Sequence, residues 1–142
     1  MKQLIIIFSF LLISLNGYCD TLDYWNVYIN DSLIGQFDTN SQKPTIDLKQ
    51  SNINKNDLIT VKYGTDNPCS DCIYVLSVLI EVKEKTPEVE TAQEFGKLSI
   101  KVKELQYFQN KYGIDKYRFH YHVRTKSSTN NSDIHLFELN LI

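Results

Sequence analysis

Ile73 to Val82 reads IYVLSVLIEV, ten residues of which only Ser77 and Glu81 carry strongly polar side chains. The run is rich in β-branched and aromatic residues, which favour extended structure. A strand with one face in water alternates between apolar and polar residues, whereas a strand covered on both faces is apolar almost throughout. We therefore predict that this segment is a buried central strand of a β-sheet.

Segments on both sides of this run alternate apolar and polar residues with a period of two, the pattern of half-buried strands. Their apolar positions are Trp25, Val27 and Ile29; Leu33 to Phe37; Ile46 and Leu48; Ile59, Val61 and Tyr63; Leu98, Ile100 and Val102; Tyr117, Phe119, Tyr121 and Val123; and Phe137, Leu139 and Leu141. About seven or eight strands predict an all-β fold, an antiparallel β-sandwich of the immunoglobulin-like or jelly-roll-like kind. A barrel is the alternative.

Two segments do not follow this alternation. One short helix is expected near residues 88–95, because Pro87 suits the first helical position and Gly96 suits the end, although the apolar stripe between them is thin. The segment 104–112, which precedes Gly113, has apolar residues at helical spacing and is ambiguous between helix and strand. Neither segment changes the predicted class.

The N-terminal residues have the pattern of a secretory signal peptide. Lys2 precedes an apolar run from Leu4 to Leu15, which is too short to cross a bilayer, since a spanning helix takes about 20 residues. Small and polar residues follow, as at a signal peptidase site. We expect residues 1–19 to be a signal peptide and residues 20–142 to form one β-sandwich domain. The mature protein would be secreted or periplasmic, and not membrane-spanning.

The chain has three cysteines, and export affects how each is interpreted. Cleavage after Cys19 would leave Cys69 and Cys72 as a pair; in the alternative, a lipoprotein, Cys19 is lipidated, but Tyr18 precedes it where a small residue is needed. A β-turn brings its first and fourth Cα atoms within about 7 Å, which suits a disulfide. We predict a structural Cys69–Cys72 disulfide and not a redox centre, because a strand and not a helix follows Cys72.

A zinc or copper site is the alternative for the same cysteines. Cys69 and Cys72 are half of a four-ligand set, and His120 and His122 lie on one face of a predicted strand. No second Cys-x2-Cys occurs, however, and two arginines beside the histidines are typical of a solvated basic stripe. His135 adjoins the apolar face of the last strand and is expected to be a partly buried core histidine. We predict no bound metal or other cofactor.

Composition and motifs argue against several function classes. A net charge of −2 gives no electrostatic footprint for nucleic acid. The sequence lacks Gly-x-Ser-x-Gly, a glycine-rich phosphate loop and His-Glu-x-x-His, and its carboxylate pairs lie in charged, surface-like runs. We therefore predict no catalytic residues and an uncharacterised, non-catalytic binding or interaction module.

The number and placement of the tyrosines indicate what kind of partner such a module binds. The chain has nine tyrosines, and Tyr24 and Tyr28 fall on the strand face opposite Trp25. Exposed tyrosine is a frequent contact residue at binding surfaces. The partner is predicted to be a protein or a glycan; a carbohydrate-binding module with Tyr24, Trp25 and Tyr28 as stacking platforms is one alternative. Another interpretation is that the rings cover a second layer of the sandwich.

Overall fold

The computed structural model describes residues 22–65, 69, 71–93, 96–125 and 128–142. The predicted signal peptide with Cys19 and the turn residues 66–68 lie outside these ranges. The elements, in chain order, are β1 (Tyr24–Ile29), β2 (Ser32–Asp38), β3 (Thr45–Leu48), β4 (Leu58–Gly64), β5 (Cys72–Leu79), β6 (Glu88–Thr91), β7 (Leu98–Lys101), α1 (Val102–Tyr112), β8 (Lys116–Thr125) and β9 (Ser128–Leu141).

The nine strands of the described residues form two sheets, and the predicted all-β sandwich is confirmed. The four-stranded sheet has the order β2-β1-β4-β7, and the five-stranded sheet has the order β3-β9-β8-β5-β6. Neighbouring strands are antiparallel except β3 and β9, which pair in parallel at the edge of the five-stranded sheet. The whole chain from β4 to β8 lies between these two strands, which gives the long crossover that a parallel pair requires.

The predicted central strand Ile73 to Val82 is the strand β5, which runs from Cys72 to Leu79, while residues 80–82 lie beyond its end. Tyr74, Leu76 and Val78 point into the core between the sheets. Val75, on the opposite face, is also 0 % exposed. Val75 is flanked by Glu90 of β6 and His122 of β8, and no further sheet of the described residues lies over it. The outward face of β5 is therefore apolar because neighbouring side chains shield it from water.

Aromatic rings join the two sheets in the core. The ring of Tyr63 on β4 stacks on that of Tyr121 on β8 with 4.1 Å between centroids. Trp25, the cross-strand partner of Tyr63 on β1, has its ring parallel to that of Tyr63 at 6.2 Å. The Tyr63 hydroxyl donates a hydrogen bond of 2.6 Å to Asp23. Burial raises the pKa of Tyr63 and of Tyr121, so both phenols stay neutral. Stacked pairs of this kind contribute about 0.5–1.5 kcal/mol each beyond the burial of their area.

The helix expected near residues 88–95 is wrong for the part that the structure describes. Glu88–Thr91 is the edge strand β6, paired antiparallel with β5, while residues 94–95 lie outside the described ranges. The carbonyl of Pro87 accepts a 2.9 Å bond from the N–H of Val78, which begins the pairing. Ladder bonds to a buried neighbour outweigh local helix signals when the apolar stripe is thin.

The α-helix of the described residues is α1, which covers the segment 104–112 that the sequence left ambiguous. It begins two residues earlier, so the prediction of Val102 as a strand residue is wrong. The helix ends at Gly113, which adopts φ 69° and donates its N–H to the carbonyl of Gln109. Its start has no side-chain cap; the N–H groups of Val102 and Lys103 donate to the carbonyls of Asp57 and Lys55 instead. Within the described ranges, no helix is long and apolar enough to span a membrane.

Candidate functional site

The outer face of the four-stranded sheet carries the tyrosines that the sequence singles out. On β1, Tyr24 and Tyr28 alternate with Trp25 and Val27, which are buried in the core. Trp25 is only 3 % exposed, so its prediction as a stacking platform is wrong. The interpretation of the tyrosines as cover for a second layer is also wrong, because the core lies on the other side of β1 and Tyr24 is 50 % exposed.

Tyr24 lies against the sheet surface because its cross-strand partner is a glycine. Tyr24 pairs directly with Gly64 on β4. A Cβ added to Gly64 would lie 2.4 Å from Cζ of Tyr24, so the phenol end of the ring occupies the space that any other residue would fill. The ring is thereby supported by the backbone beneath it and still exposed to solvent, which is the arrangement of a stacking platform.

A groove of about 300 Å³ continues the same face beyond Tyr28. Its lining residues are Tyr28, Asn30, Asp31, Leu58, Thr60, Lys62, Lys97 and Ser99. The Lys62 ammonium lies 4.5 Å from the ring centroid of Tyr28, and the hydroxyl oxygens of Thr60 and Ser99 are 2.8 Å apart. The floor of the groove therefore presents hydroxyl, ammonium and aromatic groups together. We call this groove with Tyr24 and Tyr28 the tyrosine face.

One end of the groove is fixed by Asn30, which has the left-handed φ of 52° in the β1–β2 turn. Its side chain accepts a bond from the N–H of Leu58 and donates one to Asp57. The backbone N–H of Asn54 and the amide of Asn30 hold the pKa of the Asp57 carboxyl below its usual value. These bonds tie the turn to β4 and give the groove a defined end.

The structure does not bring together Cys69, Cys72, His120 and His122, the metal ligands considered from the sequence. The sulfurs of Cys69 and Cys72 lie 1.99 Å apart, the distance of a disulfide, with Cα atoms 5.5 Å apart. Cys72 points into the core, whereas His120 and His122 lie on the outer face of the same sheet. A sheet therefore separates the buried sulfur from both imidazoles.

The outer face of the five-stranded sheet holds His135 as well, so the prediction of a core histidine is wrong. His135 is exposed and pairs across the strands with His120. A bulge between Phe137 and His135 puts the extra residue Leu136 into the core and turns His135 outward. Partial desolvation lowers the pKa of His135, and the neighbouring His120 lowers it further. The adjacent apolar pair Leu136-Phe137 is the sequence signal for this bulge.

A second groove, of about 510 Å³, lies between α1 and the segment before β6. At its edge the Glu84 carboxylate accepts bonds from Tyr107, Tyr112 and Lys111 at 2.7–2.9 Å. These bonds lower the pKa of Glu84 to about 2, with Lys111 the largest cause. The carboxylate has its partners inside the protein, so this cluster fastens the helix to the segment and we assign no ligand to it.

Comparison with protein-family models, with curated proteins and with solved structures finds no match to this chain. The function must therefore be argued from the surfaces themselves. The tyrosine face combines an exposed ring, a groove and several polar groups at fixed positions, and it is the best candidate site.

Proposed function

We propose that the protein is an exported, non-catalytic binding module that holds an acidic glycan on the tyrosine face. The observation that carries the proposal is the ring of Tyr24, half exposed and supported from below by Gly64. A sugar ring has one apolar C–H face and a rim of hydroxyls. It therefore suits a flat aromatic platform that is followed by hydrogen-bonding groups.

The polar lining of the groove supports a glycan more than an apolar ligand. Thr60 and Ser99 offer hydroxyls, and Asn30 lies at the end of the groove. Lys62 and Lys97 bring two positive charges against the single negative charge of Asp31. This excess of positive charge, in a chain with a net charge of −2, favours a saccharide that carries carboxylates.

The same lining favours binding without catalysis. Glycoside hydrolysis uses a pair of carboxyl groups about 5–9.5 Å apart on either side of the bond that breaks. Asp31 is the one carboxylate among the described residues that line the groove. A lone carboxylate supplies no second acid or base for this chemistry.

Native gel electrophoresis through polygalacturonate, with a parallel gel containing neutral hydroxyethyl cellulose, tests the proposal. We expect the wild-type protein to be retarded by polygalacturonate more than by the neutral polymer. Tyr24→Ala should reduce this retardation, because the affinity for polygalacturonate should fall up to about tenfold when an aromatic contact of about 0.5–1.5 kcal/mol is lost. Lys62→Gln should reduce the preference for the acidic polymer.

The matched control is Tyr107→Ala, which removes another exposed tyrosine, 44 % accessible, from the helix α1. This variant should migrate like the wild type in both gels. The proposal would be contradicted if Tyr24→Ala and Tyr107→Ala lost retardation by polygalacturonate equally, or if neither gel retarded the wild type. A protein that binds the neutral polymer equally well would contradict the assignment of an acidic ligand.

Export is supported by the pattern of Lys2 followed by the apolar run. Expression of the full chain in a bacterial host, followed by intact-mass analysis of the extracytoplasmic fraction, tests it. We expect a chain that begins at Asp20 and has no free thiol. A chain that keeps Met1, or one that carries lipid on Cys19, would contradict this proposal and leave the binding test unaffected.

A further inference from the structure

The three histidines of the sequence lie on one face of one strand pair. His120 on β8 is opposite His135 on β9, and two residues along, beyond the inward-facing pair Tyr121–Ile134, His122 is opposite Asp133. Directly opposed residues on one face of an antiparallel pair have Cβ atoms about 4.5–5.5 Å apart. We call this patch of four side chains the histidine face.

The patch exists because the β9 strand contains an additional residue. Phe137 and Leu139 point into the core, so strict alternation would direct His135 inward as well. The bulge at Leu136 reverses the face of every residue before it and places His135 opposite His120. Bulges that re-aim a side chain in this way are over-represented beside functional sites.

The rings of His120 and His135 are close enough to share one metal ion. Their centroids are 5.2 Å apart, with an angle of 68° between the ring planes. Two imidazoles bound to one tetrahedral zinc, with Zn–N bonds of about 2.0–2.1 Å, have ring centres roughly 5 Å apart. Nδ1 of His120 lies 3.1 Å from a carboxylate oxygen of Asp133, which leaves Nε2 for a ligand. A carboxylate behind a histidine is the usual support of a metal-bound imidazole.

We propose that His120, His135 and His122 bind one divalent transition-metal ion on the outer face of the five-stranded sheet, with Asp133 orienting His120. Within the described ranges, no three such side chains converge on one point in the present rotamers. Binding therefore needs rotation of side chains, chiefly of His122 from the neighbouring rung. His135 is exposed and His122 is half-buried, so this rotation is open to them.

The surrounding charges permit a cation at this place. Arg118 is paired with Glu81 at 3.0 Å, and Arg124 with Glu90 at 2.7 Å. Both arginines flank the histidines on β8, and their positive charge is offset by these partners. Imidazole ligands select zinc, copper or nickel, whereas magnesium and calcium prefer oxygen ligands.

Isothermal titration of tag-free, chelator-treated protein with Zn²⁺ tests the proposal, with Mg²⁺ as the comparison ion. We expect one Zn²⁺ per chain and no heat from Mg²⁺. His120→Gln and His135→Gln should each weaken Zn²⁺ binding at least tenfold, and His122→Gln should weaken it less. Asp133→Asn should weaken binding about tenfold or more, in the range typical of groups that orient a ligand.

Two controls distinguish this site from other sources of binding. The double variant Cys69→Ser/Cys72→Ser should keep the wild-type Zn²⁺ affinity, because the histidine face contains no sulfur. Tyr24→Ala should keep it too, which separates this site from the proposed glycan site. Circular dichroism establishes that His135→Gln is folded, as expected for an exposed residue. Wild-type Zn²⁺ affinity in folded His135→Gln, or equal binding of Mg²⁺, would overturn the proposal.

Discussion

The two outer faces of the sandwich differ in how their strands keep or break alternation. On the tyrosine face, β1 pairs with β4 without interruption from Tyr24 to Ile29. The bulge between β1 and β2 puts its extra residue, Ile34, on β2, so β1 itself keeps its alternation. On the histidine face, a bulge in β9 changes which residues point outward. The difference shows that alternation predicts the outward side chains of a regular strand, whereas a bulge can bring together residues that strict alternation assigns to opposite faces.

The largest expected effect on stability is in the hydrophobic core, which supports both outer faces. Phe119 is fully buried and stacks on Phe137 at 4.6 Å between the sheets. Phe119→Ala should lower the free energy of unfolding by about 3–5 kcal/mol, because it leaves a cavity in the core. Urea denaturation measures this change. A loss below about 1 kcal/mol would mean that the two faces do not rest on the core described above.

The disulfide should affect stability without affecting either face. It closes a loop of four residues, Cys69 to Cys72. Chain-entropy arithmetic gives about 2 kcal/mol for so short a loop. Cys69→Ser/Cys72→Ser should therefore lower the free energy of unfolding by about 2 kcal/mol or less in urea. A much larger loss, or loss of polygalacturonate binding in the folded variant, would show that the faces depend on this link.

Gly64→Ala should act on the tyrosine face alone. The added methyl group would meet the ring of Tyr24, which is the end of a movable side chain and is expected to swing away from the sheet. We expect weaker retardation in polygalacturonate, unchanged Zn²⁺ affinity and a stability change below about 1 kcal/mol. Retardation equal to that of the wild type would argue that the supported ring is not the binding platform.

The smallest effect is expected for Glu84→Gln, remote from both faces. The folded-state pKa of Glu84, about 2, lies below its ordinary value of 4.5. Glu84 therefore stabilises the fold above about pH 4.5, and this contribution disappears as the pH falls towards 2. In urea denaturation the free energy of unfolding of the wild type should be modestly higher than that of Glu84→Gln at pH 7, since exposed pairs contribute little. Near pH 2 the two free energies should be equal. A difference in the free energy of unfolding that does not change with pH would contradict this prediction.

The sequence predicted most of the strands because their alternation is regular and most of the alternating apolar positions face one core. It left the segment 104–112 ambiguous between helix and strand. The start of α1 has no local signal, because the N–H groups there bond the distant carbonyls of Asp57 and Lys55. It placed a helix at residues 88–95, where pairing with β5 makes residues 88–91 a strand. Long-range pairing, which no local pattern contains, decided both cases.

The candidate sites divide in the same way. Tyr24 and Tyr28 were singled out from a regular strand, and the structure places both on the outer face. His135 was assigned to the core because alternation from Phe137 was extended through a bulge. The support of Tyr24 by Gly64 was not predictable from spacing, since these residues meet only through the register of β1 and β4.

The most direct test of the account is an NMR titration that follows the imidazole nitrogens of ¹⁵N-labelled protein as Zn²⁺ is added. We expect the resonances of His120, His122 and His135 to shift together and to saturate at one ion per chain. The amide resonances of Tyr24 and Tyr28 should not shift. Shifts confined to one histidine, or no shift at all, would show that the bulge does not bring the three rings to a common site.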